Sequence, residues 1–316
     1  MNTRLATLII TLGAFLGFQA RTVASQDEKK KGPPKVQKVV LKTKDSVNLV
    51  CDFFAGTKGK ESMPVIMLHD HGGNRQQFSA FARYLQKYFG CAVVVPDLRG
   101  HGESTKTVTN RSIDFSKFQK SDFATFNNDI DACFRYLRDE VNNQGQANID
   151  MLCVLATGYV GINALSWTVE DWSYPPDGGK KQGQFVKGVV LLSPRKSIKG
   201  ISITGLLKEP LFSGRGMSPI PTLIAIGKGE EKSYRDGKSI HSTLSRTRPK
   251  YDKIADPEER AKKNSIWLGD YDKSHGAGLL NPDNKIKAGT LIARFLTYQI
   301  QEKSDGFPWV SYEKEE

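Results

Sequence analysis

Residues 64–73 read PVIMLHDHGG and residues 91–104 read CAVVVPDLRGHGES. Each holds a short apolar run, Pro64 to His69 and Cys91 to Asp97, that stops at a polar, glycine-rich turn. Runs of this length predict strands buried on both faces, the mark of a parallel sheet. Between them, Gln76 to Phe89 places Phe78, Phe81, Ala82, Leu85 and Phe89 on one helical face. The rhythm continues with a helix over Asn128 to Val141, striped by Ile130, Cys133, Phe134 and Leu137, and a strand over Ile149 to Ala156. A helix from Gly161 to Val169, strands over Lys187 to Ser193 and Pro221 to Gly227, a short last strand over Ser265 to Leu268 and an amphipathic helix over Asn284 to Lys303 follow. Upstream, Val39 to Leu41 and Val47 to Phe54 predict a hairpin. The pattern predicts a single α/β domain, a doubly wound, mostly parallel sheet with helices on both faces. Two long connections, 105–126 and 171–184, interrupt it; loops of that length serve as functional covers or are disordered.

The ends of the 316-residue chain read differently. A basic Met1 to Arg4, an uncharged apolar Leu5 to Phe18 and the small residues Ala24 and Ser25 predict a secretory signal peptide over 1–25, cut before Gln26, and so a secreted or periplasmic protein. That run falls short of the about 20 apolar residues a membrane helix takes, and no later run is longer. Residues 26–38, with Lys29-Lys30-Lys31, predict a solvated flexible leader; 39–303 is the domain and 304–316 a C-terminal tail. The net charge of +12 favours contact with anionic surfaces. The lysines are spread along the chain without a nucleic-acid motif, so no nucleic-acid partner is expected. Cys51, Cys91, Cys133 and Cys153 form no CxxC or Cys/His cluster, and His69 and His71 lack a carboxylate completing a ligand set. No metal or other cofactor is expected, and the cysteines are read as mostly free thiols.

Five landmarks in order resemble the α/β-hydrolase superfamily, particularly its dienelactone-hydrolase-like and esterase members. They are His69-Asp70-His71-Gly72-Gly73 after a strand; Pro96 to Ser104 after the next; the helix NDIDACFRYLRD before the strand IDMLCVLA; Pro221 to Ile224 leading to Gly227-Lys228-Gly229-Glu230; and Ser274-His275-Gly276 before the last helix. The resemblance implies an α/β-hydrolase fold and a nucleophile elbow, G-x-S-x-G, at Ala156-Thr157-Gly158-Tyr159-Val160. The nucleophile position then holds Gly158, which carries no group able to attack a carbonyl. His275 stands at the base position and Glu230, or its neighbour Glu231, at the acid position. The Tyr159 N–H is one expected oxyanion donor, and the loop holding Asp70 and His71 supplies the other. A carboxylate at Asp70, if it pointed inward, would repel a developing oxyanion.

Three functional readings follow. The first is a catalytically inactive hydrolase homologue, a pseudoenzyme that binds a small-molecule, acyl- or ester-like ligand in the old cleft. The second is a hydrolase with non-standard chemistry, in which His275 activates water or a hydroxyl such as that of Thr157 or Tyr159. The third is a structural protein interacting through a basic surface. The first best explains strong scaffold motifs around an elbow lacking its essential atom.

Overall fold

The computed structural model describes residues 32–281 and 287–312. The expected signal peptide, the first part of the leader (26–31, with its Lys29-Lys30-Lys31 run) and the last residues of the tail (313–316) lie outside the described residues. Eight strands form the central sheet: β1 (Gln37–Lys42), β2 (Val47–Phe54), β3 (Pro64–Leu68), β4 (Ala92–Pro96), β5 (Leu152–Thr157), β6 (Val186–Leu192), β7 (Thr222–Gly227) and β8 (Ile266–Tyr271). Their spatial order is β1-β2-β4-β3-β5-β6-β7-β8, with a two-residue strand, Lys106–Thr107, added to β2. β1 pairs antiparallel with β2, and β2 with β4; every pairing from β4 to β8 is parallel.

The continuous apolar runs become strands because both faces are covered. In β4, Ala92 and Val94 enter one core layer while Val93 and Val95 enter the other; in β5, Val154 and Ala156 oppose Cys153 and Leu155. That is the two-residue alternation of a pleated strand, with apolar residues on both sides. Helices α2 (Phe126–Tyr136), α3 (Gly161–Ser173) and α4 (Glu231–Ser245) cover one face through Ile130, Leu165 and Ile240. Helices α1 (Ser79–Phe89) and α5 (Ala288–Gln299) cover the other through Phe81, Leu85, Ile292 and Phe295. The doubly wound α/β architecture is as the sequence predicts.

Three elements differ from expectation. Helix α4 does not stand out in the sequence, because only Ser233, Gly237, Ile240 and Leu244 are buried along its 15 residues. Gly237 lies so close to Ile226 of β7 that a side chain would collide. The last helix ends at Gln299, and a looser turn, Gln301–Gly306, follows. The segment read as a tail then packs back on the body: Asn148 Nδ2 donates to the Phe307 carbonyl at 2.7 Å, Trp309 Nε1 to that of Ala147 at 3.1 Å, and Tyr312 OH to Asp150 at 2.6 Å. All four cysteines are buried free thiols. Among the described residues no helix is long and apolar enough to cross a membrane.

Buried ion pairs tie down the turn after β4. Arg99 binds the fully buried Asp129 of α2 through Nε at 2.9 Å and Nη2 at 2.7 Å, and reaches Asp45 on its outer side. Arg75 joins Asp52, Asp97 and Glu103, and Asp97 also accepts the backbone N–H groups of Arg75 and Glu103 at 2.8 Å. Removing one partner of a buried pair leaves the other charge uncompensated and costs about 3–5 kcal/mol. Asp129→Ala should therefore lower unfolding free energy by about 3–5 kcal/mol in urea titrations, and Asp45→Ala by markedly less. A loss under about 1 kcal/mol for Asp129→Ala would contradict this placement.

Candidate active site

The site lies where the C-terminal ends of β3, β4 and β5 open into loops, the usual ligand position in an open α/β sheet. Two histidines fix the loop after β3. His69 is fully buried; its Nδ1 donates to the Asp70 carbonyl at 2.8 Å and its Nε2 accepts the Leu98 N–H at 2.9 Å. Burial pushes its pKa down to about 4, so it is a neutral link between the two loops. His101 does the same from the other side: Nδ1 meets the Arg99 carbonyl at 2.9 Å, and Nε2 accepts the Gly72 N–H at 3.0 Å. The long 105–126 connection is an aromatic cover over these rings: Phe115 stacks on His101 at 4.2 Å, and Phe115 and Phe123 pack against His71.

So held, Asp70 turns its carboxylate inward. Oδ1 accepts the N–H of Tyr159 at 2.9 Å and that of His71 at 2.8 Å. The two amides expected to hold an oxyanion therefore hold a side-chain carboxylate of the same chain. Burial raises the Asp70 pKa to about 6, against the pull of those amides and of the nearby Arg195 and His275 charges.

Gly158 follows β5 and opens the turn into α3, at φ +58. Glycine adopts that conformation freely, while other residues carry a strain of about 1–3 kcal/mol. A Cβ there would overlap the Asp70 carboxylate, far inside the 3.0 Å that real Cβ contacts keep. Gly158 and Asp70 are thus sterically matched: the missing side chain is the room the carboxylate fills.

His275 lies at the loop following β8; its side chain is exposed. It lines a cleft of about 600 Å³ with Asp70, His71, Thr157, Phe81 and Leu280. The structure does not bring Glu230 to it: among the described residues no hydrogen bond joins the two. The Glu230 carboxylate instead caps α4, accepting the N–H groups of Ser233 at 2.8 Å and Lys232 at 3.3 Å, and pairs with Arg195 at 3.2 Å. Burial opposes its ionisation, but the Ser233 bonds and the Arg195 charge outweigh it and hold its pKa below the ordinary value. Glu231 is exposed and lies 3.6 Å from Arg235 on its own helix. Arg195, which sequence reasoning did not single out, also donates its N–H to the Gly158 carbonyl at 3.2 Å and lays its guanidinium over the Tyr159 ring at 4.8 Å. Among the described residues three buried polar atoms here have no hydrogen-bond partner, Thr157 Oγ1, His71 Nε2 and Arg195 Nε, the last lying 3.5 Å from the Asp236 carboxylate. Among the described residues no group of three His, Cys, Asp or Glu is placed to hold a metal ion.

A family model described as alpha/beta hydrolase fold matches residues 63–147. No curated protein matches the chain. Solved structures do. An esterase of Pyrococcus furiosus superposes with TM-score 0.54 at 13% identity, over 88% of this chain and 99% of that one. A dienelactone hydrolase from Anabaena variabilis gives TM-score 0.54 at 15% identity, over 85% and 99%. A Pyrobaculum calidifontis esterase gives 0.54 at 13% identity, over 87% of each. At such identities the likeness is one of fold, and the chain has the α/β-hydrolase fold.

The Asp70 environment carries a pH signature. Its folded pKa lies above the ordinary 3.8, so between about pH 4 and 6 the native state binds more protons than the unfolded chain. The contribution of Asp70 to stability falls as pH rises through that window, by at most roughly 3 kcal/mol. Asp70→Asn removes this slope. Its stability relative to the native protein should rise from pH 4 to pH 7 in urea titrations; a pH-independent difference would show that the carboxyl does not sit in this environment.

Proposed function

We propose that the protein is a secreted ligand-binding member of this fold that does not act as a serine hydrolase. One observation carries the reading: the Asp70 carboxylate takes both oxyanion amides and the space beside Gly158 where a nucleophile would stand. A serine hydrolase needs that space for its hydroxyl and those amides for the charge developing on the substrate oxygen. Here a fixed negative charge already occupies the amides, and the nucleophile position has no reactive atom. The exposed His275 and the Glu230 held by Arg195 do not form the acid–base pair that would activate a hydroxyl. What remains is a cleft with polar atoms at its base and Phe81 and Leu280 on its walls, suited to a small acyl- or ester-like ligand.

A second reading rests on the partnerless Thr157 hydroxyl, which lines the same cleft as His275. In it Thr157 is the nucleophile, and Thr157→Val abolishes turnover.

The deciding comparison uses a serine-directed phosphonate label and p-nitrophenyl acetate. The native protein should take no label and hydrolyse the ester no faster than His275→Ala. Gly158→Ser alone should stay unlabelled, because its Cβ collides with Asp70. Gly158→Ser with Asp70→Gly frees both the space and the amides, and should gain label and at least about tenfold in turnover. Robust turnover by the native protein that is lost in His275→Ala would end the non-catalytic reading. Export makes a separate prediction: the mature protein should begin at Gln26 on N-terminal sequencing of material secreted by an expressing cell, and retention of Met1 would refute it.

A further inference from the structure

A second cavity, of about 1020 Å³, lies at the opposite end of the sheet. Asp150 and Lys187 mark its place: Asp150 precedes β5, whereas Gly158 follows it, and Lys187 is near the start of β6. One wall is the returning C-terminal segment, Gly306 to Tyr312; the other is the 179–182 stretch of the surface insertion. No lining residue is shared with the His275 cleft.

Its charges do not balance. Among the described residues Arg138, Lys180, Lys181 and Lys187 line it against Asp139 and Asp150. Both acids are already engaged: Asp139 by Arg138 at 2.6 Å, and Asp150 by an ion pair with Lys181 and a 2.6 Å hydrogen bond from Tyr312. Among the described residues no carboxylate lies within ion-pair distance of Lys180 or Lys187, although Asp150 and Asp171 are near enough to act on the Lys187 charge. Lys187 is half-buried. Its ammonium donates to the Gln184 carbonyl and lies 5.3 Å from the centre of the Trp172 ring and 5.2 Å from that of Phe307. Burial first, and the nearby Lys181 second, bring its pKa down to about 8 against the opposing pull of Asp150 and Asp171. A sheltered cation with no carboxylate in direct contact favours an anion in the space before it. Phe307, Pro308 and Tyr312 give that space an apolar, ring-bearing wall.

We propose that this cavity binds a small organic anion, a phosphate- or carboxylate-bearing ring compound, with the charged head on Lys187 and Lys180 and the ring against Phe307 and Tyr312. This site is independent of the Gly158 cleft and of whether that cleft is catalytic. Phenyl phosphate is the probe, titrated calorimetrically at low salt into the full chain. Saturable binding is expected, tighter than that of inorganic phosphate because of the ring. Lys187→Met should raise the Kd at least about tenfold. Lys180→Met, a change on an exposed side chain that leaves the fold intact, should weaken binding several-fold. Lys228→Met, which removes an equal charge elsewhere, and His275→Ala should bind as the native protein does. Absence of saturable binding, an unchanged Kd in both Lys187→Met and Lys180→Met, or loss of binding in His275→Ala would overturn the site; inorganic phosphate binding as tightly would overturn the role of the ring.

Discussion

A carboxylate accepting two backbone amides sets the character of the sheet's C-terminal end. Asp70 reaches across from the loop after β3 to the N–H that follows Gly158 on β5. The contact works because His69 and His101 lock that loop against the turn after β4, and because glycine leaves the facing position empty. Each part requires the others. A side chain at 158 would expel the carboxylate, and a loop free to swing would let it turn to solvent. The arrangement satisfies both amides within the protein, which an empty oxyanion hole leaves to water or substrate.

The same logic explains the displaced charges nearby. Glu230 is not aimed at His275. Glu230 instead completes the first turn of α4 and neutralises Arg195, which in turn holds the Gly158 carbonyl and covers Tyr159. Glu230 is thus joined to the scaffold rather than to His275.

Much of this was legible in the sequence. The strands from β3 to β7 follow their apolar runs closely, because residues that feed two core layers must be apolar at every position. Gly158 and the inward hazard of Asp70 were visible as motif departures. The acceptance of two amides by Asp70 was not, since it depends on a loop orientation fixed by histidines that read equally well as loop residues. Glu230 misled for a related reason: Glu is an uncommon N-cap, and the polar helix that it begins shows too narrow an apolar stripe to announce itself. Arg195 lies in no motif. The lysine-lined cavity was beyond reach, because the wall that makes it comes from residues read as a tail.

That wall has a consequence for the order of assembly. Tyr312 bonds the Asn143 side chain across a sequence separation of 169 residues, and Val310 bonds Asn142 across 168. Contacts so remote along the chain form only once nearly all of it is available. The sheet's early strands can pair before residues 306–312 are made, but the strap these residues form over the Asn142–Asp150 turn cannot. The lysine-lined cavity therefore exists only in chains whose residues 306–312 have packed on that turn, and occupancy there reports that this long-range closure has taken place.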